Sequence, residues 1–341
     1  MPETTKKIEP VLLRVNGQKD YPVAPGQTLL EALRAQGIFV ASACGGRGAC
    51  GLCRTRVLTS MGELTEKERI QLSDDERRNG LRLACQVTLN RSLDVQVPDA
   101  SFYVREHTAE VLSLRNLTYD IKEVRLKLLQ PPTMVFQPGQ YLQFRIPPYA
   151  GSRKIMYRAY SIASVPSRPD ELELEIRRVP HGLGTTYVFN VLKPGQKVFV
   201  NGPYGDFFLR DTDRDIVFIA GGSGMAPIKS ILLNMEEHGS RRPARYFFGA
   251  RAMHDLFFVE EMKRLETTLP DFQFIPALSQ PLPEDNWKGE TGLITDVVDR
   301  HVSEGSGAEA YLCGSPAMID ACVRTLSAKG IPRERIFFDK F

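Results

Sequence analysis

From residue 11 a short, mostly apolar run, Val11-Leu12-Leu13-Arg14-Val15, reads as a strand. Asn16-Gly17 is a hairpin turn signal, and a second strand passes through Tyr21-Pro22-Val23. The period then lengthens. Residues 29–36 fit a helix, with Thr28 as its cap and Gly37 as its stop. After a glycine-rich loop, residues 53–58 read as a strand, 73–79 as a short charged helix and 93–97 as a closing edge strand. Two hairpins, one helix and one loop predict a small β-grasp domain over residues 1–100.

Residues 99–107 hold few aliphatics and read as a linker. Short strands follow at 109–114, 121–129, 141–146, 171–177 and 197–200, punctuated by Pro-Gly pairs at 138–139 and 194–195. This pattern predicts a small antiparallel barrel over 101–212. From Asp215 strand-like runs (216–220, 244–250, 272–278, 310–313, 335–338) alternate with helix-like ones (228–238, 256–265, 294–302, 316–328). Such alternation predicts a parallel sheet with helices on both faces over 213–341. The expected fold is therefore multidomain, α+β followed by α/β.

Composition narrows the class. With 42% hydrophobic and 25% charged residues the chain has the make-up of an ordinary soluble protein. A formal charge of +3 and the lack of a basic, aromatic-interleaved patch argue against nucleic acid. No run of about 18 apolar residues predicts a membrane span, and Met1 to Pro10 has no signal-peptide core. Six cysteines in 341 residues, four of them grouped by spacing, point to a reducing compartment, and so to the cytoplasm.

That grouping is the strongest chemical signal. Cys44, Cys50 and Cys53 fall within ten residues, separated mostly by glycine and alanine, and Cys85 follows Cys53 after 31 intervening residues. Four thiolates satisfy a [2Fe-2S] cluster, two on each iron. Small residues between them let backbone N–H groups approach the inorganic sulfides. A structural zinc site also uses four cysteines, but zinc ribbons favour two CxxC knuckles and here there is one.

Other motifs suit nucleotides. Arg158-Ala159-Tyr160-Ser161, at a predicted strand end, offers a guanidinium for phosphate, an aromatic ring and a hydroxyl, a set able to hold a flavin. Gly184-Thr185-Thr186 would open a short helix whose N–H groups face an anion. Gly202-Pro203-Tyr204-Gly205 reads as a tight turn. Gly221-Gly222-Ser223-Gly224-Met225-Ala226-Pro227 joins an apolar strand to a helix, where glycine lets backbone approach a pyrophosphate. Tyr311-Leu312-Cys313-Gly314-Ser315-Pro316 repeats that form and sets Cys313 either at a ligand-binding sheet edge or simply in the core. Cys322 lies in a helix pattern and reads as packing.

In this order the motifs resemble the ferredoxin–NADP reductase superfamily. They are most similar to the branch that supplies the F subunit of Na+-translocating NADH:quinone reductases, and to reductase components of multicomponent oxygenases. Further points of likeness are Arg-Leu-Ala-Cys-Gln at 82–86, Gly249-Ala250-Arg251 and Pro283-Glu284-Asp285-Asn286-Trp287. The quinone-reductase branch carries an N-terminal membrane helix for which this sequence has no counterpart, so the oxygenase branch is the expected role. The resemblance implies a [2Fe-2S] ferredoxin domain, an FAD-binding barrel and a nicotinamide-binding domain, with electrons passing from NADH to FAD, to the cluster, to a protein acceptor. That acceptor is expected to be a soluble oxygenase component. The alternatives are another metalloprotein, such as a corrinoid protein, or service as a quinone-reductase-type input module. It further implies that Arg158, Ala159, Tyr160 and Ser161 hold FAD, with Ser161 near N5, and that Gly184, Thr185 and Thr186 complete the phosphate site. Gly221, Gly222, Gly224, Met225, Pro227 and Arg251 would receive the dinucleotide, NADH rather than NADPH. Cys313 would lie near the nicotinamide and Phe341 would cover the flavin.

Overall fold

The computed structural model describes residues 9–60, 62–304 and 307–340. Its contacts divide the chain into two compact units. One takes 9–107 with 143–159 and 199–204; the other takes 108–142, 160–198 and 205–340.

In the first unit, β1 (Val11–Val15), β2 (Lys19–Val23), β3 (Arg54–Val57), β4 (Leu81–Leu83) and β5 (Leu93–Gln96) form a sheet ordered β2-β1-β5-β3-β4. Asn16 and Gly17 both have positive φ, 51° and 67°, in the three-residue loop 16–18 that joins β1 to β2. Helix α1 (Leu29–Ala35) is closed by a capping box between Thr28 and Glu31. It buries Leu29, Leu30, Ala32 and Leu33 against Leu13, Val15 and Val95. Each such aliphatic side chain contributes about 1.5–3 kcal/mol by leaving water. Between β3 and β4 lie α2 (Glu66–Gln71) and α3 (Asp74–Arg78), and the first of these the apolar pattern does not predict. It carries one wholly buried residue, Glu68, whose carboxylate takes Arg82 Nε at 2.8 Å and the Leu83 amide at 3.1 Å.

The next strands are β6 (Arg105–Asn116), β7 (Ile121–Gln130), β8 (Tyr141–Ile146), β9 (Met156–Ser161), β10 (Glu171–Arg177) and β11 (Lys197–Tyr204), with α4 (Leu183–Asn190) before the last. β7 pairs antiparallel with both β6 and β10, and β11, β8 and β9 are neighbours in that order. Two readings need correction. The 99–107 linker is largely structured: Asp99–Phe102 is a 3-10 turn and β6 starts at Arg105. The turn expected at 202–205 is mostly strand, because β11 runs on through Gly202 and Pro203 to Tyr204.

The second unit also holds β12 (Ile216–Gly221), β13 (Ala244–Ala250), β14 (Phe272–Leu278), β15 (Glu290–Thr291), β16 (Glu309–Gly314) and β17 (Ile336–Lys340). They form a parallel sheet ordered β15-β14-β13-β12-β16-β17. Alternate residues serve opposite faces. Phe218 and Tyr246 pack under α5 (Met225–Glu237) and α6 (Val259–Thr268), while Ile219 and Phe247 pack under α7 (Ile294–His301) and α8 (Pro316–Ala328). Cys322 is core, as read from sequence. Strand order reverses between β12 and β16, which places a switch point at their carboxyl ends. Among the described residues no helix is long and apolar enough to cross a membrane.

Candidate functional site

The cysteine loop is shaped by backbone that only glycine tolerates well. Gly45, Gly46, Gly48 and Gly51 all have positive φ, so the loop curls and turns its amides inward. Cys44, Cys53 and Cys85 are buried and Cys50 is half-buried; none is in a disulfide. The thiols fall as two hydrogen-bonded pairs, Cys44 with Cys50 and Cys53 with Cys85. The Cys50 bond, followed by amides of residues 47, 49 and 50, holds the Cys44 thiol down to about 4 and pushes Cys50 up. Cys53, then the side-chain amide of Gln86 at 3.3 Å, brings Cys85 to about 7, while the same pairing and burial raise Cys53. Among the described residues no three His, Cys, Asp or Glu side chains converge as ligands of a single ion. Two thiol pairs with inward amides fit a two-iron cluster, one pair for each iron.

The same loop meets the flavin-type motif inside the first unit. A Cβ on Gly45 would overlap the Tyr157 carbonyl oxygen and the Arg158 guanidinium. Arg34, on α1, places its guanidinium 4.0 Å from the Tyr157 ring centre and donates to Gln143 at 3.0 Å. Arg158 and Ala159 are half-buried near the end of β9, and the Arg158 guanidinium donates to the Tyr157 carbonyl at 2.8 Å. In the second unit, Tyr160 and Ser161 end that strand. Gly184, Thr185 and Thr186 lie in the first turn of α4; the Thr185 hydroxyl accepts from the Val179 amide at 3.1 Å and so braces its own loop.

At the switch point the GGSGMAP segment runs from the end of β12 through a single 3-10 turn, Gly222–Gly224, into α5. A Cβ on Gly224 would overlap the Cys313 carbonyl, and one on Gly221 would stand 3.1 Å from Met318 Sδ and 3.3 Å from the Gly249 carbonyl. Glycine is thus needed for the close approach of two strand ends, the kind of cradle that admits a pyrophosphate. Met225 is fully buried and accepts at Sδ from the Tyr246 hydroxyl at 3.1 Å, and Pro227 sits in the first turn of α5, where its missing N–H costs nothing. Cys313 is fully buried at the carboxyl edge of β16; burial pushes its thiol well above the usual range. Arg251 is exposed just past β13. Phe341 lies outside the described residues.

Two acidic residues escape the sequence reading. Glu68 braces Arg82, three residues before Cys85, and its Thr65-x-x-Glu68 spacing is a capping-box signal visible in the sequence. Glu175 hides in the alternating run ELELEIR, which reads as a strand with a solvated polar face.

Comparison with known proteins agrees with this chemistry. Residues 13–90 match the 2Fe-2S iron-sulfur cluster binding domain, 108–209 the oxidoreductase FAD-binding domain and 218–324 the oxidoreductase NAD-binding domain. The F subunit of the Na+-translocating NADH-quinone reductase of Neisseria gonorrhoeae is 36% identical, over 97% of this chain and 91% of its own. That of Methylococcus capsulatus is 35% identical, over 96% and 90%. Among solved structures, the Amycolatopsis cytochrome P450 reductase GcoB superposes with TM-score 0.77 at 31% identity, covering 97% of this chain and 98% of that one. The ferredoxin reductase of carbazole 1,9a-dioxygenase superposes with TM-score 0.74 at 29% identity and the same coverage.

Proposed function

This chain belongs to the family of [2Fe-2S], FAD and NAD oxidoreductases that includes the F subunit of the Na+-translocating NADH-quinone reductase, and on that premise we propose that it is the cytoplasmic NADH-oxidising reductase of an oxygenase. When bound, FAD accepts hydride from a nicotinamide and releases electrons singly, and the cluster carries them one at a time. The protein's part is orientation and electrostatics. Arg158 supplies positive charge suited to a flavin phosphate. Gly184, Thr185 and Thr186 supply helix N–H groups suited to an anion. Ala159, Tyr160 and Ser161 shape the ring site, with the Ser161 hydroxyl toward N5. Gly221, Gly222, Gly224, Met225 and Pro227 form the dinucleotide cradle, Arg251 faces its ribose and Cys313 the nicotinamide. Hydride transfer needs no acid or base from Cys313, which suits a thiol kept neutral by burial. Cys44, Cys50, Cys53 and Cys85 hold the cluster.

The observation that carries the order of transfer is the seating of Gly45, in the cysteine loop, on Tyr157 and Arg158. Cluster and flavin motifs then share one packed wall, as single-electron transfer between them needs. For the acceptor, support comes from the two solved relatives matched over 98% of their length, one a cytochrome P450 reductase and the other a ferredoxin reductase of a dioxygenase. The higher identity to the quinone-reductase relative favours a second reading, electron input to a quinone-reducing partner. Assay of NADH oxidation with a purified oxygenase component and with a water-soluble quinone separates them. The oxygenase reading expects protein-dependent turnover that is lost in Cys50→Ser. Quinone reduction as fast in Cys50→Ser as in the native protein, with no turnover on oxygenase components, would overturn it.

A further inference from the structure

Arg34 is a half-buried cation that, among the described residues, makes no ion pair. It stands on α1, whose apolar face enters the same core as Cys53 and Cys85. One turn earlier, the Leu30 amide donates to the carbonyl of Ala84, the neighbour of Cys85, at 3.0 Å. A Cβ on Gly46 would stand 3.7 Å from Leu30 Cδ2 and 3.8 Å from Cys85 Cβ. Residues four apart are neighbours on one helix face, so Arg34 follows Leu30 along the side of the cysteine loop. Its guanidinium lies 4.0 Å from the centre of the Tyr157 ring and donates to the fully buried Gln143 at 3.0 Å. The Tyr157 carbonyl is in turn the atom that a Cβ on Gly45 would overlap. One residue, Tyr157, therefore touches both the guanidinium and the loop.

The other cations around the loop are neutralised or exposed. Arg82 pairs with Glu68 at 2.8 Å and Arg54 with Glu76 at 2.6 Å. Arg47 and Lys67 are exposed, where water and salt screen their charge. The acid on the same helix as Arg34, Glu31, is engaged by the Thr28 amide and hydroxyl, both at 2.9 Å. Burial holds the Arg34 pKa below the usual guanidinium value, against the pull of Tyr157, Tyr204, Glu31 and Cys53. A guanidinium keeps its proton even so. Tyr157, raised by burial, stays a neutral phenol and does not cancel that charge.

We propose that Arg34 sets the reduction potential of the cluster, as a fixed positive charge that favours the reduced state. The inference rests on the assignment of Cys44, Cys50, Cys53 and Cys85 as the cluster ligands. Reduction adds one electron, and so one negative charge, to a group that four thiolates already make anionic; no bond forms or breaks. Net charge is among the quantities that fix such a potential. Inside a protein a unit charge is felt more strongly than at the same distance in water. Transfer of an electron from flavin to cluster is then more favourable with Arg34 present than without it.

The test is a redox titration of the full-length protein carrying FAD and cluster, followed by the electron paramagnetic resonance signal of the reduced cluster. Arg34→Met removes the charge and keeps an unbranched apolar stem. Gln143→Glu leaves Arg34 in place and sets a carboxylate against it. Both should lower the equilibrium constant for cluster reduction about tenfold, equivalent to about 59 mV in a one-electron potential, at native iron content. Arg34→Lys, which keeps the charge, should retain most of the native potential. A native potential in Arg34→Met would overturn the inference, as would one in Gln143→Glu. So would an Arg34→Lys shift as large as that of Arg34→Met, which would make the effect one of packing. Loss of the cluster from all three variants would make Arg34 a structural brace and overturn it too. A native protein with no [2Fe-2S] signal would instead overturn the ligand assignment on which the inference rests.

Discussion

A single methyl group on Gly45 would overlap the carbonyl oxygen of Tyr157. This contact ties the cysteine loop to the strand carrying Arg158, and φ at Gly45 is +67°. Gly45→Ala therefore meets both backbone strain, about 1–2 kcal/mol for an L-residue in that region, and a clash with main chain. We expect Gly45→Ala to hold less iron per chain and to pass electrons from NADH to cytochrome c several-fold more slowly. NADH–ferricyanide activity at the flavin should persist. Native iron content together with native cytochrome c rates would contradict the assigned contact.

Glu68 and Arg82 brace the strand leading to Cys85 from inside the core. Burial opposes the Glu68 charge, but Arg82 and the amides of Thr65 and Leu83 outweigh it and hold the carboxyl below its usual range. A lowered folded pKa means that the stabilisation is fully present above the unfolded glutamate value, about 4.3, and is lost as pH falls through the folded one. Arg82→Ala leaves a buried unpaired carboxylate and should cost about 3–5 kcal/mol. Thermal unfolding followed by cluster absorbance checks both statements. A variant melting within a degree or two of the native protein at neutral pH would refute the pairing.

The Gly224–Cys313 approach makes a separate prediction. Gly224→Ala pushes β-carbon into the Cys313 carbonyl, so the 3-10 turn and the end of β16 must part. We expect KM for NADH to rise about tenfold or more, equivalent to about 1.4 kcal/mol, with flavin and iron content unchanged. An unaltered KM would mean that the cradle lies elsewhere.

Arg251, exposed beyond β13, bears on nucleotide choice. The native protein is expected to prefer NADH in kcat/KM, and Arg251→Ala to change the NADH value by less than the NADPH value. A native preference for NADPH that Arg251→Ala abolishes would show that this guanidinium reads a 2′-phosphate.

Much of this was legible in the sequence because the signals are local. Thr28 caps where a capping residue should, Asn16-Gly17 turns, and Phe218 and Ile219 alternate between the two faces of the parallel sheet. The cysteine spacing needs no tertiary information to suggest a cluster. What stayed hidden depends on partners far along the chain. The α2 helix carries a buried glutamate instead of an apolar stripe, so its pattern reads as solvated. Glu175 is buried and paired with Glu123, 52 positions earlier, which ELELEIR alone does not imply. The extension of β11 through Gly202-Pro203 ran against the usual weight of glycine and proline as turn residues.

The central claim is that electrons from NADH reach a [2Fe-2S] cluster through the flavin. Anaerobic addition of NADH to the purified protein, followed by low-temperature electron paramagnetic resonance, tests it most directly. The account predicts that the flavin bleaches and that the signal of a reduced [2Fe-2S] cluster then appears, and that Cys50→Ser loses the cluster signal but not the bleaching. Bleaching in the native protein with no cluster signal, or zinc in place of iron at Cys44, Cys50, Cys53 and Cys85, would contradict it.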